Sequence, residues 1–255
     1  MNETSYFLHN MMKTTLLIFL AALAAPAFAA TLVTDDFDSG VISAEWSVNK
    51  NATVTPGGPA GSVNYLAIGP HDPATDGQNW GGLGKVFADG GVPSMTLDVD
   101  FRLKGSAREF NLNVSTSSTT PNGNDAAINL IYNGTNWQVH NGGSFVTLSG
   151  LMAATAGQWY HLQVETVGWG SAGATYNITI SDGATSTSAT GLTARQTGSI
   201  NTTTVRSFVF NSRYGQNPGF DIDNLVVTGT VIPEPSLLWL SLTSVTLLAR
   251  RRRCS

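Results

Sequence analysis

Between Ala30 and Ile232 the chain carries three glutamates, Glu45, Glu109 and Glu165, and none has a second carboxylate two residues away. Glycoside hydrolysis needs two carboxyl groups flanking one sugar bond, so this scatter argues against that chemistry. Asp98 and Asp100 do share one face of a strand-like run, where a solvated face is the expectation. His71, His140 and His161 have no metal-ligand spacing, and His161 alternates outward on its segment. No G-x-S-x-G elbow is present to expose a nucleophilic serine. Gly81-Gly82-Leu83-Gly84-Lys85 has Val86 where a phosphate loop needs Ser or Thr, and no helix follows. It reads as a Gly-rich turn. The expectation is a chain with no catalytic residues, and not an enzyme.

The remaining chemistry is recognition. Sugar rings present C–H faces to aromatic rings, while amides and carboxylates satisfy hydroxyls. Trp80 lies in Asp76-Gly77-Gln78-Asn79-Trp80-Gly81-Gly82, a glycine-rich loop with amides beside the ring. Tyr214 lies in Asn211-Ser212-Arg213-Tyr214-Gly215-Gln216-Asn217, and Trp169 in another Gly-flanked turn. These three are the candidate glycan platforms. Trp46 and Trp159 sit in strand-like segments and are assigned to the core.

The elements that must position these residues have period 2. Leu97, Val99, Phe101 and Leu103 alternate with Thr96, Asp98, Asp100 and Arg102. Phe110, Leu112 and Val114 alternate with Asn111 and Asn113; Tyr160, Leu162 and Val164 with His161, Gln163 and Glu165. Each predicts a strand with one buried and one wet face. Asn-Gly or Asp-Gly pairs at 76, 89, 122, 133, 141 and 182 supply turns, and Asn133-Gly134 between two apolar runs predicts a hairpin. About twelve short strands and no helix predict an all-β body, an antiparallel β-sandwich of jelly-roll type.

Charge narrows the partners. The formal net charge is −4 over 255 residues, and residues 30–232 hold 8 basic against 15 acidic side chains. No basic field exists there for nucleic acid or anionic lipid. The one cysteine, Cys254, excludes a disulfide framework and multi-cysteine zinc sites. At the N-terminus, Lys13, the apolar run from Thr14 to Ala25 and the small-x-small Ala27-Phe28-Ala29 read as a signal helix cleaved after Ala29, with Met12 a candidate start. At the C-terminus, Pro233-Glu234-Pro235 precedes an apolar stretch from Ser236 to Ala249, then Arg250-Arg251-Arg252-Arg253. Those 14 residues make a short transmembrane helix, and four arginines should stay cytoplasmic, leaving the body outside.

That order of Pro-Glu-Pro, short apolar helix and arginine cluster resembles the PEP-CTERM sorting signal. The resemblance implies export through the Sec machinery, processing by an exosortase near Pro233-Glu234-Pro235, and release to the cell surface or an exopolysaccharide matrix. The implied organisation is 1–29 signal peptide, 30–230 β-sandwich and 231–255 sorting signal. Within the body, Gly157-Gln158-Trp159-Tyr160-His161-Leu162-Gln163-Val164 resembles a strand of laminin-G and concanavalin A-like lectin/glucanase jelly rolls. Phe220-Asp221-Ile222-Asp223-Asn224-Leu225 is similar to their closing strand, and Asp35-Asp36-Phe37-Asp38 to their opening one. The resemblance implies that the two ends meet, with a structural Ca²⁺ held by Asp36, Asp38 and Asp223. The functional expectation is a non-catalytic domain that binds polysaccharide. The alternative is a degenerate or novel carbohydrate-active enzyme on the same fold.

Overall fold

The computed structural model describes residues 28–70, 82–87, 91–105, 110–119, 125–169, 173–195, 204–212 and 219–231. Ala30–Thr230 is one compact unit, and Met1–Ala29 with Val231–Ser255 the other. Of the second unit only Phe28, Ala29 and Val231 are among the described residues. The expected signal helix, sorting motif and C-terminal helix therefore lie outside them, and no described helix is long and apolar enough to cross a membrane.

The all-β expectation holds: the described residues form two antiparallel sheets and no helix. One sheet runs β13 (Ser186–Thr193), β12 (Thr175–Ser181), β11 (Trp159–Val167), β6 (Met95–Leu103), β15 (Phe220–Val231), β4 (Asn64–Ile68) and β3 (Ala52–Pro56), with β1 (Phe28–Asp35) also pairing β15. The other runs β10 (Ser144–Leu148), β9 (Trp137–Asn141), β8 (Ala126–Tyr132), β7 (Asn111–Ser115), β14 (Ser207–Asn211), β5 (Gly82–Val86) and β2 (Val48–Lys50). The first and last strands meet, as expected.

Alternation decides which residues enter the core. Leu97, Val99, Phe101 and Leu103 of β6 are buried with Leu162 and Val164 of β11 from one sheet, and Leu112, Phe208 and Phe210 from the other. Aromatic rings weld the layers together: Phe101 meets Trp137 edge-on at 5.6 Å, and Phe110 meets Phe220 at 4.9 Å. Such pairs add to the area they bury.

Turn chemistry follows the sequence where it is described. Asn133 Oδ1 accepts the N–H groups of Thr135 and Asn136 at 3.0 and 2.8 Å and closes the β8–β9 hairpin. Asp182 Oδ1 accepts those of Ala184 and Thr185 before β13. The Gly-rich stretch at 81–85 needs correction, because Gly82–Val86 is strand β5 and not a turn. Its glycines serve close approach: at Gly82, with φ +152°, a Cβ would stand 1.8 Å from the Phe210 carbonyl oxygen on β14. Glycine reads as a turn until its neighbour is known.

Candidate functional site

The outer face of the seven-stranded sheet carries polar side chains on strands that are buried on both faces. In β7, Leu112 and Val114 enter the core, so Asn111, Asn113 and Ser115 point the other way. In β14, Phe208 and Phe210 enter the core, which turns Ser207, Val209 and Asn211 outward. Register aligns them: Asn113 lies opposite Asn129 of β8, and Asn111 lies between Ile131 of β8 and Asn211 of β14. Leu130 pairs with Val139, so continuing that antiparallel register sets His140 of β9 beside Asn129. A band of amides ending in an imidazole thus crosses four strands.

The predicted wet face of β7 is instead closed. Asn111 is 1% exposed, and Asn113, Asn211 and Ser212 are 0% exposed. Asn129 donates through Nδ2 to Asn113 Oδ1 and, at 3.5 Å, to Asn111 Oδ1. Both acceptors are thereby used, and the two flanking amides are left with free donors. Asn111 Nδ2, Asn113 Nδ2, both polar atoms of Asn211, Ser212 Oγ and His140 Nδ1 are buried without a hydrogen-bond partner. Buried amides are nearly always paired, and each orphan costs roughly 1–3 kcal/mol. Ser115 and Ser207, in the next row, are satisfied by the carbonyls of Asp125 and Ser117, both at 2.9 Å. The unpaired atoms are concentrated at the amide end.

Burial, and secondarily Arg195, holds His140 below the usual imidazole pKa, so its ring is neutral near pH 7. Phe145 of β10 packs edge-on against it at 5.0 Å. The strands of this sheet contain no Asp or Glu at all. The face holds buried neutral donors, the unpaired Asn211 Oδ1 acceptor and a neutral imidazole.

The opposite face, on the eight-stranded sheet, is charged and mostly paired, with Asp223 Oδ2 an exception. His161 Nδ1 bonds Asp100 at 2.9 Å and Nε2 lies 3.4 Å from Asp98. Its hydrogen bond to Asp100 is the main cause of a raised imidazole pKa. Gln163 bonds Asp98 at 2.8 Å, and Asn224 bonds Asp100 at 2.9 Å. With both ring nitrogens occupied, His161 serves as a cross-strand clamp. Nearby, Arg102 lies over the Tyr65 and Trp159 rings at 4.9 and 4.8 Å and pairs with buried Asp221 at 2.7 Å. The core assignment of Trp159 is corrected, since its position on the outward parity of β11 places it against Arg102 instead.

The other predicted residues divide as follows. Trp46 is buried, as expected. Trp169 is buried too, with Nε1 donating to the Thr175 carbonyl at 3.1 Å, so its expected role as a glycan platform is corrected to a core lid. Trp80, Tyr214, Ala27, Pro233, Glu234, Pro235 and Arg250–Arg253 lie outside the described residues, while Ala29 is an exposed residue of β1. Asp38 Oδ1 accepts the backbone N–H groups of Val63 and Asn64, and its charge reaches Asp223. Asp36 turns back to accept the Asp38 N–H at 3.1 Å. Among the described residues no group of three or more His, Cys, Asp or Glu is arranged to hold a metal ion, so the three aspartates do not assemble the expected calcium set.

These layers define an antiparallel jelly-roll sandwich. No known protein family and no curated protein matches the sequence. Among solved structures, the chain is similar to a carbohydrate esterase from the Shiga toxin-encoding bacteriophage phi24B, with TM-score 0.54, 15% identity, and coverage of 80% of this chain and 100% of that one. It is also similar to the endo-β-1,4-glucuronan lyase of the fungus Trichoderma reesei, with TM-score 0.50, 13% identity, and coverage of 79% and 96%. The expectation of a non-enzyme is corrected by these neighbours, which are enzymes acting on carbohydrate. Paired carboxylates, serine elbows and phosphate loops serve only some of the chemistries open to this fold.

Proposed function

We propose that this chain is an exported carbohydrate-active enzyme. The observation that carries this reading is the jelly-roll sandwich, which the carbohydrate esterase and the glucuronan lyase share. The test is incubation of the full chain with a panel of neutral and acidic polysaccharides, following chain length and acyl-group release. Products from one polymer class are expected, and an inert protein across the panel would refute the reading.

Export rests on the sequence alone. Pro233-Glu234-Pro235, the apolar stretch and Arg250–Arg253 support exosortase processing followed by display at the cell surface or in a matrix. In an exosortase-bearing host, mass spectrometry should find surface protein lacking its C-terminal stretch, and Glu234→Ala should retain it. An intact C-terminus on surface protein would exclude this route.

A further inference from the structure

We infer that β13 is a self-pairing edge, to which a second copy of this chain adds its own β13, antiparallel about a two-fold axis, so that the eight-stranded sheet continues from one copy into the other. An edge strand presents a row of unpaired N–H and C=O groups. Soluble proteins guard such rows with charge, proline, bulges or short length.

The strands that end the two sheet orders differ in that protection. β3 finishes on Pro56, whose nitrogen donates nothing, and β2 is three residues long and carries Lys50. β13 is eight residues long with no proline and no charged side chain, and the whole stretch 183–194 is uncharged. β10, which ends the other sheet, is uncharged too, and its Phe145 is 43% exposed. The two edges lie on one side of the sandwich. The Gly142 N–H donates to the Thr193 carbonyl and the Thr193 N–H to Asn141 Oδ1, both at 2.8 Å.

Those bonds close only the C-terminal end of β13, where a bulge also turns the Gly191 N–H to Asn177 Oδ1 at 2.9 Å. Before the bulge, Ser186 to Ala189 keep unbroken register with β12. Over 186–190 the main-chain groups directed away from β12 have no hydrogen-bond partner among the described residues. Ser186, Ser188 and Thr190 are exposed, so an incoming strand can reach this edge. The hydroxyls of Thr179 and Ser188 bond across the β12–β13 pair at 2.9 Å, and another Ser/Thr strand would extend that ladder.

Charge selects the occupant. Residues 30–232 hold 15 acidic against 8 basic side chains, and net charge of one sign keeps copies apart. Self-pairing sets like residues near like, and only a neutral strand does so without opposing equal charges. β13 meets that condition. A head-to-tail contact of β13 with β3 would stay open-ended and meet the missing donor of Pro56, whereas the two-fold pair closes as a dimer. The same axis, normal to the sheets, turns the two β10 edges and their Phe145 rings toward each other.

The full chain would be studied in mild detergent by sedimentation velocity, with hydrogen exchange read at low and high protein concentration. A monomer–dimer equilibrium is expected, with amides of 186–190 slowing as the dimer forms. Ser188→Lys should weaken dimerisation by roughly tenfold or more, since like charges set together across an interface are costly. It should also return those amides to fast exchange, while Ser188→Thr keeps the dimer. Thermal melts of the dilute variants would check folding, and exchange in the parent chain decides without them. A chain that stays monomeric would overturn the inference, leaving the edge to water or to a foreign strand. A dimer with no slowing over 186–190, unchanged by Ser188→Lys, would place the contact elsewhere and overturn it equally.

Discussion

Asn211→Val should melt higher than the parent chain. Asn211 is fully buried, and neither polar atom of its side chain has a partner. Removing a buried amide that bonds nothing forfeits no hydrogen bond and abolishes its desolvation cost. Valine also suits a strand that already alternates with Phe208 and Phe210. The expected gain is about 2 kcal/mol, or roughly 5 °C in melting temperature for a domain of this size. The same substitution at Asn113 should gain less, because it removes the unpaired Nδ2 but also the Oδ1 that accepts from Asn129. Calorimetric melts of the ligand-free proteins measure both. If Asn211→Val were destabilising, its amide would have to be paired in the folded protein.

Most of the framework was legible in the sequence, because alternation is a local property. Leu97 to Leu103 announce β6 and its buried face without help from any neighbour. The face of β7 was legible only by half. Asn111 and Asn113 alternate with core residues, and local pattern assigns such amides to water. Whether they meet water depends on what lies beyond the sheet, and their exposure is 1% and 0%. The signal that could have marked them is that Asn129 sits inside the apolar run of β8 and Asn211 ends the Phe-Val-Phe run of β14. Three such strands form one polar face only when β14 pairs β7, which joins Asn211 to Asn111, a hundred positions earlier. Glycine misleads in a related way: Gly82 belongs to a strand because β14 passes too close for a side chain. For Trp159 the pattern itself held the answer, since alternation with Tyr160 and Leu162 puts it on the face away from the core.

Asp223 gives the second large effect, and its sign separates a proton from a metal ion. The residue is fully buried on β15, and burial is the main cause that pushes its carboxyl up to about 6 from 3.8. The charges of Asp38 and Asp100 push it the same way, while the Ser62 hydroxyl and the Asn224 N–H at 2.8 Å oppose them in part. Oδ2 is left without a partner of good geometry. A carboxyl whose folded pKa lies above its unfolded value stabilises the fold only while protonated. Below about pH 4 both states hold the proton and nothing is lost. Between about pH 4 and pH 6 the unfolded chain ionises first, so stability falls, and above pH 6 the full penalty stands. A rise of this size corresponds to a ceiling of about 3 kcal/mol. Asp223→Asn keeps the acceptor for Asn224 and removes the buried charge. It should raise the melting temperature by about 5 °C at pH 8, with the difference closing as the pH falls below about 4. Bound calcium would reverse the result at pH 8, since a carboxylate ligand would then be lost. A fall in melting temperature on Asp223→Asn, matched in the parent chain by adding EDTA, would therefore restore a cation at Asp38 and Asp223 in place of the proton.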